Sequence, residues 1–196
     1  QQGDGGEPVT REATSLGSGF IIDPSGYIVT NNHVISAGEG RGAASDTKVD
    51  SITVTLSDRR EFTAKVIGRD TLTDLALLKI DATNLPYVKF GNSQTVRVGD
   101  WAIAIGNPFG LGGTVTAGII SALHRNIGSG QYDRYLQTDA SINQGNSGGP
   151  LFDLEGNVVG INTAIFSPTG GNVGLGFAIP AELAYPVIQQ LRATGT

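Results

Sequence analysis

Residues 145–150 read GNSGGP, so Ser147 stands among small neighbours. A serine flanked in this way can be displayed on a tight turn with its hydroxyl exposed. Gly145 has no Cβ, and its N–H can turn toward a ligand oxygen. The N–H groups of Gly145 and Ser147, with Asn146 between them, can then converge on one point, the geometry an oxyanion needs. An ordinary glycine-rich turn has the same letters, so the motif gains meaning only from a base that can take the hydroxyl proton. The chain has two histidines, His33 and His124. His33 lies in TNNHV, just after an apolar run, and a histidine in a loop at the mouth of a strand can project into a cleft. The plainer alternative is a histidine satisfied within a turn. His124 precedes Arg125 at the edge of a charged loop and reads as a solvated surface residue. The third group such chemistry needs is a carboxylate that fixes the imidazole tautomer. Asp74 directly precedes the apolar run 75–80. A carboxylate entering a core strand loses hydration and needs a partner. A strand-start cap is the bland alternative there, and Asp58 and Asp70 sit in more polar surroundings.

The elements that must position these groups are short strands. Phe20, Ile21 and Ile22 run into the turn signal DPSG, and residues 27–30 follow, which predicts a hairpin. Residues 36–50 carry Gly, Ala, Ser and charge without period and read as a surface loop. Within them Gly38-x-Gly40-x-x-Ala43 matches a dinucleotide fingerprint by letter, but no strand precedes it and no apolar helix follows. Ile52, Val54 and Leu56 alternate with threonines, and Phe62, Ala64 and Val66 alternate with Thr63 and Lys65. Further strands are predicted at 75–80, 101–105, 114–123, 135–138, 150–153, 157–165 and 173–179, with a connector over 81–99. Many short strands separated by turn signals predict an all-β barrel or sandwich. One helix is predicted at 181–193, with Leu183, Val187, Ile188 and Leu191 on one face. Pro186 fits there only in the first turn or at a bend, and Gly195 is a stop signal.

Composition narrows the classes. Gly is 29 of 196 residues, about twice its usual share, while 39% apolar residues argue against disorder. A formal charge of −5 with 13 Lys+Arg argues against nucleic acid as the main partner. With no cysteine, a disulfide scaffold, a thiolate zinc site and a cysteine nucleophile are excluded, and two histidines do not make a multi-histidine metal centre. No metal and no cofactor is expected. No apolar run approaches the ~18 residues of a membrane span. Because the first residue is Gln1, the chain is expected to be processed or a fragment.

The order His33, Asp74, Ser147 is that of chymotrypsin-like enzymes, whereas α/β-hydrolases and subtilisins use other orders. The all-β pattern supports the same choice. No strand–turn–helix elbow of the lipase type occurs. Residues 30–34 (TNNHV), 73–77 (TDLAL), 104–111 (AIGNPFGL), 137–150 (QTDASINQGNSGGP) and 160–165 (GINTAI) resemble the protease domain of the HtrA (Deg) family. The opening GSGFII at 17–22 and GLGFAIP at 174–180 fit as well, so the likeness covers roughly 16–193. The resemblance implies a chymotrypsin/trypsin-like double β-barrel with the site between barrels and a C-terminal helix. It divides the chain into an arm (1–15), barrel one (16–82), a connector (83–99), and barrel two with the helix (100–196). It implies His33, Asp74 and Ser147 as a triad and Gly145, Asn146 and Ser147 as the oxyanion hole. Ile142 and Ile165 are implied to line the primary pocket, with the edge of 160–165, including Asn162, Thr163 and Ala164, along the substrate backbone. Ser141 stands where enzymes of basic specificity carry Asp. The family is ATP-independent, acts on unfolded or damaged proteins in the bacterial periplasm or an organelle lumen, and usually forms trimers. Leu16 and Phe20 are candidates for such a contact, although both could fill the first barrel instead. Residues 124–135, 144–146 and 166–173 resemble the family's activation loops. Two features depart from the pattern: no PDZ domain follows within this chain, and loop 36–50 is longer than in the simplest members. A chaperone-like holdase or an inactive protease fold is the competing function.

Overall fold

The computed structural model describes residues 17–36, 52–107, 113–128 and 134–196. The expected arm 1–15, most of loop 36–50, Leu16 and part of loop 124–135 lie outside them.

Alternation of apolar and polar residues builds the first sheet. Strand β1 (Phe20–Asp23) and β2 (Tyr27–Asn31) form the expected hairpin, with Gly26 at φ 99° in the turn, and a one-turn helix α1 (Asn32–Ile35) follows. Strands β3 (Ile52–Thr55), β4 (Glu61–Asp70) and β5 (Leu75–Lys79) complete the order β1-β2-β5-β4-β3. Among the described residues this first half is a half-barrel, a five-stranded sheet that does not close on itself. Its central strand β5 is buried from Leu75 to Leu78, as its unbroken apolar run requires. Successive side chains point to opposite faces. Leu75 and Leu77 therefore join one core with Phe152, Ile161 and Ile188, while Ala76 and Leu78 join another with Ile28, Ala64 and Leu85. One strand thereby glues the sheet to the rest of the molecule.

The second half closes completely. Strands β6 (Trp101–Gly106), β7 (Thr114–Arg125), β8 (Tyr135–Thr138), β9 (Pro150–Phe152), β10 (Val158–Ile165) and β11 (Gly176–Pro180) form a barrel of order β10-β11-β8-β7-β6-β9, with β9 pairing back onto β10. Small residues fill much of its interior, where Ala102, Ala104, Ala140 and Ala178 pack with Ile120, Ile142 and Leu151. The last strand starts at Gly176, three residues later than the letters predict.

Helix α2 (Ala181–Thr194) seals the junction, touching β4 and β5 of the sheet and β10 and β11 of the barrel. Its buried stripe is Ala181, Ala184, Ile188 and Leu191, while Leu183 and Val187 are only partly covered. The expected face is thus rotated toward the alanines, whose small side chains let the helix approach closely. Pro186 lies in the second turn and is exposed. At the N-terminus, Pro180 provides no side-chain cap, and the Glu182 N–H instead donates to Ser93 Oγ of the connector at 2.9 Å. Gly195 ends the helix at φ 78°, its N–H bonding the Leu191 carbonyl. Phe20 is buried and packs edge-on against Phe90, so it fills the interior of the fold.

Asp23, at the β1–β2 turn, links this helix to the sheet. The Ser25 hydroxyl and N–H both donate to one carboxylate oxygen, and Arg192 of α2 donates to the other at 3.3 Å. These bonds, Ser25's first, hold the Asp23 carboxyl below its ordinary range. The resulting stability is present above the unfolded-chain value of about 3.9 and is lost as pH falls through the lower folded value. Urea unfolding should therefore show Asp23→Asn less stable than the parent at neutral pH, with the gap shrinking in acid. A pH-independent gap would contradict this.

Candidate active site

The register of two strands brings the first pair of groups together. Asn31, the last residue of β2, stands opposite Leu75, the first of β5. The next residues along, Asn32 and Asp74, therefore meet at the end of the sheet. Asp74 adopts φ 59°, a left-handed conformation that aspartate tolerates better than a bulky residue. From there it serves the first turn of α1 twice: the Asn32 N–H donates to its carbonyl at 2.9 Å and the His33 N–H to its Oδ1 at 2.8 Å. Its Oδ2 lies 2.5 Å from His33 Nδ1. His33 thus sits on a helical turn, not in the loop expected from the sequence. One carboxylate holds both its backbone and its ring, which fixes the ring's rotation. The His33 side chain is half exposed and Asp74's is 28% exposed, so the ring faces solvent while the carboxylate sits beneath it.

The second half of the site lies on the barrel. A 3₁₀ turn at Gln144–Asn146 leads into Ser147, and Gly148 at φ 86° leads on to β9. Only glycine fits at 148: a Cβ there would lie 2.2 Å from the Ser18 carbonyl oxygen and 2.4 Å from Thr30 Oγ1. The turn is pinned to β10, since the Gly148 N–H donates to the Asn162 carbonyl and the Asn162 N–H to the Gly149 carbonyl. Ser147 Oγ donates to the Thr163 carbonyl at 3.4 Å, and among the described residues no hydrogen bond joins it to His33. The halves are nonetheless tied: Asn31 Nδ2 donates to the Asp74 carbonyl at 2.9 Å and to Thr163 Oγ1 at 3.2 Å. Asn31, Thr163 and Ser147 thus form a continuous polar chain beneath the cleft. Catalytic hydrogen bonds commonly tighten only once substrate is bound.

The remaining predicted residues divide by burial. Asn146 is 2% exposed. Its N–H donates to the Asn143 carbonyl at 2.9 Å and its Nδ2 to the Ser141 carbonyl at 3.2 Å. It therefore braces the turn from behind. Gly145 is buried, and its carbonyl accepts the Ser18 hydroxyl at 2.6 Å. Ile142 is 1% exposed within the barrel core, and Ile165 packs partly against the same cluster. Asn162 is fully buried, its side chain donating to the Pro150 carbonyl. Ala164 and Ile165 pair with Phe177 and Gly176 of β11, and a bulge falls between Asn162 and Ala164. On the opposite edge, β9 ends its pairing at Ile161, so the backbone of 163–165 has no strand neighbour there among the described residues. Of the expected activation loops, 166–173 is tethered: Asn172 Nδ2 donates to the Ile142 carbonyl at 3.0 Å. His124 is exposed and remote from these bonds. Among the described residues no group of three His, Asp or Glu could hold a metal ion.

Sequence reasoning missed Asn31, Thr30 and Ser18. Asn31 and Thr30 sit beside His33 in TNNHV, so adjacency was the one signal available. Ser18 is joined to Gly145 across 127 positions, which no local pattern announces.

A family model for the trypsin-like peptidase domain matches residues 17–161. A probable periplasmic serine endoprotease, DegP-like, of Rhizobium meliloti is 58% identical over 181 residues, covering 92% of this chain and 34% of the relative. One from Brucella suis is 57% identical over 191 residues, covering 96% and 35%. The chain thus spans about a third of the length of the curated relatives it matches. Among solved structures, the HtrA-type protease AlgW with a decapeptide matches with TM-score 0.82 and 52% identity over 92% of this chain and 52% of that one. The serine endoprotease from Yersinia pestis matches with TM-score 0.76 and 46% identity, covering 92% and 59%.

The hold of Asp74 on His33 predicts the ring's tautomer. In the neutral imidazole the proton should sit on Nδ1, facing Asp74 Oδ2, with Nε2 carrying the lone pair. Nitrogen-15 NMR of the labelled protein should show this assignment, and Asp74→Asn should disturb it. A dominant Nε2–H tautomer in the parent would contradict the geometry.

Proposed function

Because the chain belongs to the trypsin-like peptidase family, we propose that it is a serine endopeptidase with His33, Asp74 and Ser147 as its catalytic triad. The observation that carries this reading is the pair of hydrogen bonds between His33 and the Asp74 carboxylate, one from the backbone N–H and one at the ring. That contact orders the imidazole before any substrate arrives, as a general base requires. Rotating Ser147 Oγ away from the Thr163 carbonyl brings its proton to His33 Nε2. The oxygen then forms a bond to the peptide carbonyl carbon, and the carbonyl oxygen takes the negative charge. The N–H groups of Gly145 and Ser147 receive that oxyanion, while Asn146, whose N–H is committed to Asn143, supports the turn. His33 passes the proton to the leaving amine as the C–N bond breaks. Water, deprotonated by the same ring, then hydrolyses the acyl-enzyme.

Substrate lies extended along β10. The unpaired edge at 163–165 offers main-chain hydrogen bonds that demand no particular sequence, which suits unfolded polypeptides. The pocket takes a wall from the partly covered Ile165, with Ile142 buried in the barrel core behind it, and Ser141 puts no carboxylate there to receive a cation. A buried Lys or Arg would lose its hydration without a partner. ATP-independent removal of unfolded or damaged protein, a homotrimeric assembly and a periplasmic location complete the proposal. The names of the DegP-like relatives support the last of these.

Ser147→Ala should lower casein cleavage by at least about 10⁴-fold while leaving the melting temperature unchanged. Turnover persisting in the folded variant would overturn the assignment. Mass spectrometry of a digested unfolded protein should find cuts mostly after Val, Ala, Ile or Leu, with broad preference, because one methylene of misfit discriminates by only ~1–3 kcal/mol. A majority of cuts after Lys or Arg would refute the pocket.

A further inference from the structure

Ser18 lies just ahead of β1, half-buried and far in sequence from the nucleophile turn, yet four hydrogen bonds converge on it. Its N–H donates to the Ser147 carbonyl at 2.8 Å. Its hydroxyl donates to the Gly145 carbonyl at 2.6 Å and accepts the Asn107 N–H at 2.8 Å. Its own carbonyl accepts Thr30 Oγ1 at 2.7 Å. The direction of the hydroxyl is fixed by these neighbours. Asn107 N–H can only donate, so the Ser18 proton is left for the Gly145 oxygen.

Ser18 therefore holds the carbonyls of the two residues that flank Asn146, whose N–H groups the proposed function assigns to the oxyanion, and so fixes the C-terminal side of each of these residues. Gly145 has no side chain to restrict its backbone, so the 145–146 peptide is oriented by its two bonds, the Asn146 N–H to the Asn143 carbonyl and the Gly145 carbonyl to the Ser18 hydroxyl. Nothing larger can stand between the partners. A Cβ on Gly106 would lie 3.0 Å from Ser18 Oγ, and one on Gly149 would lie 3.3 Å from Ser18 Cβ. At the other end, Thr30 lies on β2, three residues before His33, so Ser18 also references the nucleophile turn to the strand that leads into the helical turn of the base.

We propose that Ser18 is a positioning residue that sets the oxyanion-binding conformation of the 145–147 turn and registers it against His33. The proposal rests on the endopeptidase reading above. Loss of the hydroxyl leaves the 145–146 peptide held by the Asn146 N–H to Asn143 bond alone, which loosens the backbone of Gly145, and leaves Asn107 N–H without this acceptor. Because the oxyanion donors act in the transition state, the loss falls on kcat more than on KM.

The test is steady-state hydrolysis of an unfolded-protein substrate by the parent, Ser18→Ala and Ser18→Thr, each checked for folding by thermal melting. Ser18→Ala should lose about 10²-fold in kcat with KM changed by less than about threefold. Ser18→Thr, which keeps the hydroxyl, should recover at least about tenfold of that loss. If Ser18→Ala does not fold, Thr30→Val, which removes the anchor on the Ser18 carbonyl, should lower kcat by about tenfold at near-constant KM. An active parent whose folded variants keep its kcat, or lose activity through KM alone, overturns the role of Ser18 and leaves the endopeptidase reading standing. A parent that folds but does not turn over overturns both.

Discussion

The contact on which the rest depends is Asp74 with the first turn of α1. Its carbonyl takes the Asn32 N–H and the Asn31 side chain, its Oδ1 takes the His33 N–H, and its Oδ2 takes the His33 ring. A left-handed backbone at Asp74 lets carbonyl and carboxylate face the same neighbour. Such a conformation persists only where its surroundings over-determine it, and here β2 and β5 do so. Their register, Asn31 opposite Leu75, leaves Asp74 nowhere to point except at α1. The buried run Leu75–Leu78 locks that register, because a slip by one residue would exchange the side chains facing the two cores.

A cleft between two separately built halves must be held in register by something stiffer than apolar contact. Hydrophobic packing is non-directional, and the core shared by α2, the sheet and the barrel fixes proximity more than orientation. Directionality comes from a few polar links across the junction, Ser18 to Gly145 and Ser147 and Asn31 to Thr163, while Asn162 pins the turn at 148–149 within the barrel. Most are buried or half-buried, where a hydrogen bond lost leaves an unsatisfied group costing about 1–3 kcal/mol. Glycine at 148 follows from the same crowding, since the turn passes within contact of Ser18 and Thr30.

The three reactive side chains were legible because each has a chemical signature of its own: a serine among glycines, a histidine after a strand, an aspartate entering a core run. The strands of the first sheet were legible from alternation, as at β3 and β4. The rest depended on distance. The helical turn under His33 is too short to show a period, and the helix face shifted because Ala184 outranks Leu183 by proximity and not by hydrophobicity. Closure of the second barrel but not the first sheet is set by pairing between strands remote in sequence. Ser18 has no local signature because its partners Gly145 and Ser147 lie more than a hundred positions away.

The account stands on Ser147 being a nucleophile that His33 activates. Intact-mass spectrometry with peptide mapping after exposure to a fluorophosphonate tests this most directly. The account predicts a single adduct on Ser147, formed stoichiometrically by the parent and strongly slowed in His33→Ala. A folded parent that takes up no label, or takes it up elsewhere than Ser147, would contradict it.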